Sequence, residues 1–190
     1  MKLKPVFSIL ALLLLMAKPS FAQREYYTLL QGGANIGVKN PGFDGNFNGY
    51  SLHFIFGRNY NERAFLGIGL GNEVLRGDYK FSEPKEGQDG NLKYDRNLFP
   101  IFIDARLPFA YIGDVSRVGA LANAGYAVRL GGIYDKGAMG KLGLFYLYDN
   151  EKRTNFTISA SYAYQQLNYV AFREKMNHQS LNLSVGIWLK

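Results

Sequence analysis

The chain has 190 residues, a formal charge of +7 and no cysteine. The missing thiols exclude disulfides, thiolate metal sites, a thiol nucleophile and a lipid-bearing cysteine. Lys2, Lys4 and Lys18 fall in the N-terminal leader and the cations beyond it form no clustered basic face, which argues against nucleic acid as a partner.

Residues 1–22 read as a secretory signal peptide. Lys2 and Lys4 supply a positive start, Val6–Met16 is a continuous apolar run, and Ser20-Phe21-Ala22 puts small residues two apart before Gln23. Cleavage is expected between Ala22 and Gln23. A membrane-spanning helix would need about 20 apolar residues, and Lys18-Pro19 cuts the run short of that. Residues 23–190 are then one domain, with no linker inside it.

Beyond Gln23 no segment holds a helical repeat over three turns; period-two segments recur instead, and there are eight. The first, Glu25–Val38, puts Tyr26, Leu30, Ala34, Ile36 and Val38 opposite Gln31, Gly33 and Asn35, and Lys39–Gly45 breaks it with turn residues. The second, Asn46–Arg58, opposes Tyr50, Leu52, Phe54 and Phe56 to Gly49, Ser51, His53 and Gly57; Asn59–Glu62 turns the chain. In the third, Arg63–Tyr79, Ala64, Leu66, Ile68, Leu70 and Val74 stand against Gly67, Gly69, Gly71 and Glu73. Lys80–Asn91 is the longest charged connection.

The fourth segment, Leu92–Leu107, sets Phe99, Ile101, Ile103, Ala105 and Leu107 against Arg96, Asp104 and Arg106, with Pro108–Ser116 as a connection. The fifth, Arg117–Leu130, sets its alanines and Tyr126 against Gly119, Asn123, Gly125 and Arg129; Gly131–Gly137 is a glycine-rich break. The sixth, Ala138–Tyr148, is apolar on both faces. The seventh, Thr154–Tyr169, opposes Phe156, Ile158, Ala160, Tyr162 and Tyr164 to Thr157, Ser159, Ser161 and Gln165. Val170–Asn177 leads to the eighth, Ser180–Lys190, where Leu181, Leu183, Val185, Ile187 and Leu189 share one face.

Eight antiparallel strands joined by hairpins predict an all-β, up-and-down barrel, its last strand pairing with its first so that no edge is left bare. The polar face is mostly Gly, Ser, Thr and Asn, whereas a face in water would be rich in Lys and Glu. Lys and Glu collect in the connections instead. Small polar residues suit the narrow interior of an eight-stranded barrel. The apolar face is then expected to meet lipid, with Tyr26, Tyr50, Tyr126, Tyr148, Tyr162 and Tyr164 near the ends of their rows as interfacial girdles. The competing soluble carrier would turn the same pattern inside out.

The leader, the eight alternating segments and the closing Leu181–Leu189 row resemble the small outer-membrane β-barrels of the OmpA/OmpX kind in Gram-negative bacteria. The resemblance implies an integral outer-membrane location, both termini in the periplasm, and the connections after odd-numbered strands outside the cell. It also implies contact with outer-membrane lipid, recognition of the C-terminal strand by the barrel-assembly machinery, and an envelope or extracellular partner met through the loops. In that family the last strand usually ends in an aromatic residue; here Trp188 lies on the other parity and Leu189-Lys190 comes last.

The inward charges Glu73, Arg96, Asp104, Arg106 and Arg129 are expected to form a lumen network, since charges sealed in a small barrel are costly unless paired. Ser51-Leu-His53 reads as a core hydrogen bond. Glycines of Gly67-Ile-Gly-Leu-Gly71 lie in mid-strand with no helix after them, so they read as room for bulky neighbours and not as a phosphate loop. The two histidines lie far apart in sequence, so no metal set emerges, and no cofactor is called for. These features lead to a non-enzymatic barrel with a filled lumen, working through its extracellular loops or in envelope integrity and tethering. An alternative is a lipid-modifying enzyme: His178-Gln-Ser180 offers a base and a hydroxyl on one strand face, as in the outer-membrane lipid A deacylases.

Overall fold

The computed structural model describes residues 26–84, 90–113, 115–149, 154–168 and 175–190. The Ala22/Gln23 cleavage point lies outside them. Ten strands follow in order: β1 Tyr26–Lys39, β2 Phe43–Asp44, β3 Asn48–Tyr60, β4 Ala64–Phe81, β5 Leu92–Ile112, β6 Ser116–Val128, β7 Tyr134–Asp135, β8 Gly137–Tyr148, β9 Thr154–Leu167 and β10 Met176–Leu189. Eight are long and coincide with the eight period-two segments. The short β2 and β7 extend one rim, β2 against β4 and β7 parallel to β5.

Each long strand pairs antiparallel with the next, and the additional β4–β5 pairing and the β1–β10 pairing complete a ring. At the seam Thr28 faces Leu189, Leu30 faces Ile187 and Ile36 faces Leu181. The closing strand therefore has a neighbour on both sides, and all the long strands are free of edges. The fold is an eight-stranded antiparallel up-and-down barrel.

The two ends differ in how the chain reverses. At one, β3–β4 turns through Asn61 (φ 50°) and Glu62 (φ 63°), with the Arg63 amide donating to the Tyr60 carbonyl at 3.0 Å. Positive φ at both central residues is the primed turn whose twist matches a hairpin. The β5–β6 turn at the same end uses Gly113 at φ 62°. At the other end lie the connections 40–47 and 129–136, with the described residues 82–84, 90–91, 168 and 175.

One boundary needs correcting. Pro108–Ser116 was expected to be a connection, but β5 continues to Ile112. A bulge between Pro108 and Ala110 absorbs the proline, which has no amide to give the ladder, and pairing with β6 resumes at Ala110–Val118. The strand outlives its proline.

Alternation places the aliphatic rows outside. Ile68, Ile103, Leu142 and Val185 each leave more than half of their area exposed, and Leu52, Phe56, Ile158 and Leu183 do likewise around the ring. The soluble-carrier sense is thereby excluded: the apolar rows do not line a cavity. Val74, on the outward parity, is nevertheless buried, and nothing in the structure explains it.

The interior is filled rather than hollow, and by larger groups than glycine and serine. Tyr27, Leu29, Ile55, Phe65, Phe102, Leu121, Met139, Phe145, Leu147 and Trp188 form one cluster that runs from the short-turn end inward along the lumen. Near the other end, Phe47, Leu75, Tyr79, Tyr94, Leu98, Ala127, Leu167 and Met176 form a second cluster. Glycine makes the first possible: a Cβ on Gly69 would lie 2.3 Å from the Phe102 ring.

Candidate functional site: the filled lumen and its two mouths

Between the aromatic clusters the wall is polar, and its charges are paired. β4 contributes Glu73, which accepts from Lys141 Nζ of β8 at 2.6 Å and from His53 Nε2 of β3 at 2.9 Å. All three side chains are buried. Strand pairing explains the meeting only in part: Ser51 is the cross-strand partner of Glu73, whereas Lys141 reaches it across the lumen.

The second centre is Asp104 on β5. It accepts from Arg106 Nε at 3.0 Å, from Asn123 Nδ2 at 2.7 Å and from the Tyr27 hydroxyl at 3.3 Å. Arg106 also donates through Nη2 to Gln31 Oε1 at 2.7 Å, and its guanidinium carbon lies 5.7 Å from the centroids of both the Phe145 and Trp188 rings. Gln31 in turn donates to Ser159 at 3.2 Å and to Ser184. Asn182 donates to Asn35 at 2.6 Å. Every strand of the ring sends at least one group into this filling.

Of the five charges expected in the lumen, the structure brings Asp104 and Arg106 together and gives Glu73 a different cation. Arg96 and Arg129 do not join. Arg96 lies at the long-connection rim and donates to the Gly132 carbonyl at 2.7 Å, and Arg129 stands just past the end of β6, exposed. Alternation had the right parity for both. It cannot say how deep a residue sits, and these two are at the mouth.

Lys141, Tyr27 and Gln31 were missed as members of the network, whereas His53 makes the core hydrogen bond expected of it, with Glu73. A signal for Lys141 existed: it shares the parity of Gly143 and Phe145, the inward one. The apolar residues on both faces of that strand hid it.

Sequence reading also missed a charge clasp over the short-turn mouth. Arg117 of β6 meets Glu62 at 2.5 Å and Asp149 at 3.0 Å. Lys190, the last residue, pairs with Asp149 and lies 3.7 Å from Glu62. These four come from a strand, two turns and the chain end. Beside them Trp188 stacks on Tyr27 with centroids 4.2 Å apart.

His178 and Ser180 both face the lumen and are buried. His178 Nδ1 lies 2.7 Å from Asn40 Oδ1, and its ring stacks on Phe47. Its hydrogen-bonded partner is thus an amide and not the carboxylate a catalytic base would need as an orienter. Among the described residues no three His, Cys, Asp or Glu side chains gather as metal ligands.

No protein-family model matches the sequence, and no curated protein matches it. In three dimensions the chain is similar to the crystal structure of Neisserial surface protein A, at a TM-score of 0.55 and 20% identity, over 87% of this chain and 96% of that one. It is similar also to the outer membrane protein OprG from Pseudomonas aeruginosa, at a TM-score of 0.51 and 11% identity, over 87% of this chain and 95% of that one. The fold is that of the small eight-stranded outer-membrane β-barrels.

Proposed function

We propose that this chain is a non-enzymatic integral outer-membrane β-barrel that is plugged by its own side chains and acts through its long connections or in envelope integrity and tethering. The observation that carries this reading is the inversion of the two faces. Leucines, isoleucines and phenylalanines stand exposed around the whole ring, while Glu73, Lys141, Asp104 and Arg106 are sealed inside. In water that arrangement would expose a greasy surface far larger than a soluble monomer tolerates. In a bilayer it satisfies both media, because a closed barrel keeps every backbone donor and acceptor paired within the hydrocarbon.

Other features support the same reading. Outward Tyr26, Tyr50, Tyr126, Tyr148, Tyr162 and Tyr164 remain exposed on the barrel surface, as girdle residues would. The aromatic clusters and paired charges leave no wide aqueous path, so general diffusion is not its work. Residues 1–22 serve as the export signal, and β10 is the segment offered to the assembly machinery. Catalysis at His178 and Ser180 is not part of the proposal, since both are shut inside the plug.

The test is fractionation combined with a gel run before and after boiling. A detergent-extracted band that migrates differently when unboiled supports the proposal; recovery in a soluble periplasmic fraction overturns it. Planar-bilayer recording sharpens it: the plugged lumen predicts no stable open-channel conductance.

A further inference from the structure

The connection between β6 and β8 is held by several hydrogen bonds to the barrel. The Asn97 amide donates to the Ile133 carbonyl at 3.0 Å, and Arg96 Nη1 donates to Gly132 O at 2.7 Å. The Tyr134 amide closes a turn onto Gly131 O at 3.1 Å. Beneath it the buried Asp135 carboxylate accepts from the Tyr94 hydroxyl at 2.9 Å, from the Lys136 amide at 2.7 Å and from the Asn168 amide at 3.1 Å. Strands β5 and β9 and the connection itself are thereby tied together.

What this scaffold displays is apolar. Leu130 is 59% exposed and Ile133 61%. A mobile loop can fold such residues away; one pinned on this many bonds cannot, so the exposure is a permanent cost unless something covers it. Leu130 lies two positions beyond Val128, the last residue of β6, which shares the outward parity with Tyr126. The tip thus continues the apolar outer wall past its tyrosine row. Two cations flank it: Arg129 and Lys136 are exposed and have no acidic partner among the described residues, unlike Arg76, which pairs with Asp95 at 2.9 Å on the same rim.

We infer that the 129–136 connection is a lip that rests on the outer leaflet and holds phosphate-bearing lipid headgroups: Leu130 and Ile133 enter the upper acyl region while Arg129 and Lys136 meet the phosphates. Continuity with the apolar wall selects lipid over a protein partner as the occupant, and the two exposed cations select anionic headgroups. The inference rests on the membrane reading above.

The cysteine-free chain allows a direct test. Leu130→Cys, Ile103→Cys and Gly90→Cys are each labelled with an environment-sensitive fluorophore. The refolded full-length barrel is then placed in phosphatidylcholine vesicles with or without phosphatidylglycerol. The label at 130 is expected to emit to the blue of its value in water and to be quenched by lipids brominated near the headgroup. Quenching should be severalfold stronger with phosphatidylglycerol, and Arg129→Gln with Lys136→Gln should erase that lipid dependence. The label at 103 should be quenched by deep bromines, and that at 90 should stay water-like.

A water-like label at 130 beside a buried label at 103 overturns the lip and leaves the barrel reading intact. A water-like label at 103 overturns the barrel reading itself. Equal quenching in the two vesicle types overturns the preference for anionic headgroups.

Discussion

The two mouths of this barrel are closed in different ways. At the short-turn end the closure is built from the strands and the chain terminus: Trp188 stacks on Tyr27, Arg106 is wrapped by Asp104, Gln31 and two rings, and Lys190 locks onto the turns through Asp149 and Glu62. At the long-connection end the plug is again built mostly from strand residues, but one of its rings is brought in by a connection. Phe47 arrives from the β2–β3 connection, stacks on Tyr94 at 4.5 Å and lies against His178. The first closure takes its rings from the strands alone, the second has the Phe47 ring laid into it from a connection.

Breaking the charged part of the wall-built closure should have the largest effect. Arg106→Ala strips Asp104 of its cation in a buried site, for which about 3–5 kcal/mol is expected. Urea unfolding of the refolded barrel in detergent, followed by the fluorescence of Trp188, the single tryptophan, should show the midpoint falling accordingly. An unchanged midpoint would mean that the network is not what holds this end.

Ring deletions compare the two plugs directly. Trp188→Ala removes the largest fully buried side chain and should cost about 3–5 kcal/mol, whereas Phe47→Ala should sit at the low end, near ~3 kcal/mol, because a connection can settle into the gap more readily than a strand. The temperature at which the compact unboiled band disappears on a gel gives the order. A reversed order would contradict the distinction drawn between the ends.

Lys190→Ala tests the clasp at its last member. Arg117 remains to neutralise Asp149, so the loss should be confined to about 1.5–3 kcal/mol, the range for a hydrogen bond to a charged group. The same gel series reads it. Smallest of all, Arg76→Ala at the long-connection rim removes an ion pair whose side chains are 63% and 66% exposed. About 0–1 kcal/mol is expected, and a shift as large as that of Lys190→Ala would show that the outer rim is stiffer than its exposure indicates.

How much of this was legible in sequence can be argued from a few residues. Leu181, Leu183, Val185 and Ile187 announce a strand and a greasy face because side chains of a strand alternate sides with period two. The glycines at 67 and 69 announce room for a large neighbour, and Phe102 and the Tyr27 hydroxyl occupy it. Arg129 shows the limit: its parity is inward, yet it stands past the strand end in the open. Pro108 shows another, since a proline that reads as a break is absorbed by a bulge. Lys141 was overlooked because its strand is apolar on both faces, so no contrast marked which side mattered.

Local alternation marked each strand and its two faces, the recurrence of eight such segments gave the barrel, and the small polar composition of one set of rows said which face turns inward. That information is local, carried by the sign of each successive side chain, and needs no knowledge of a neighbour. The partners of Glu73, the depth of Arg96, the clasp at Lys190 and the pinned tip at Leu130 were decided only when the ring closed. Closure sets the height of every strand against the next and sets opposite walls face to face, and a pairing such as Glu73 with Lys141, 68 residues apart, exists only across that gap.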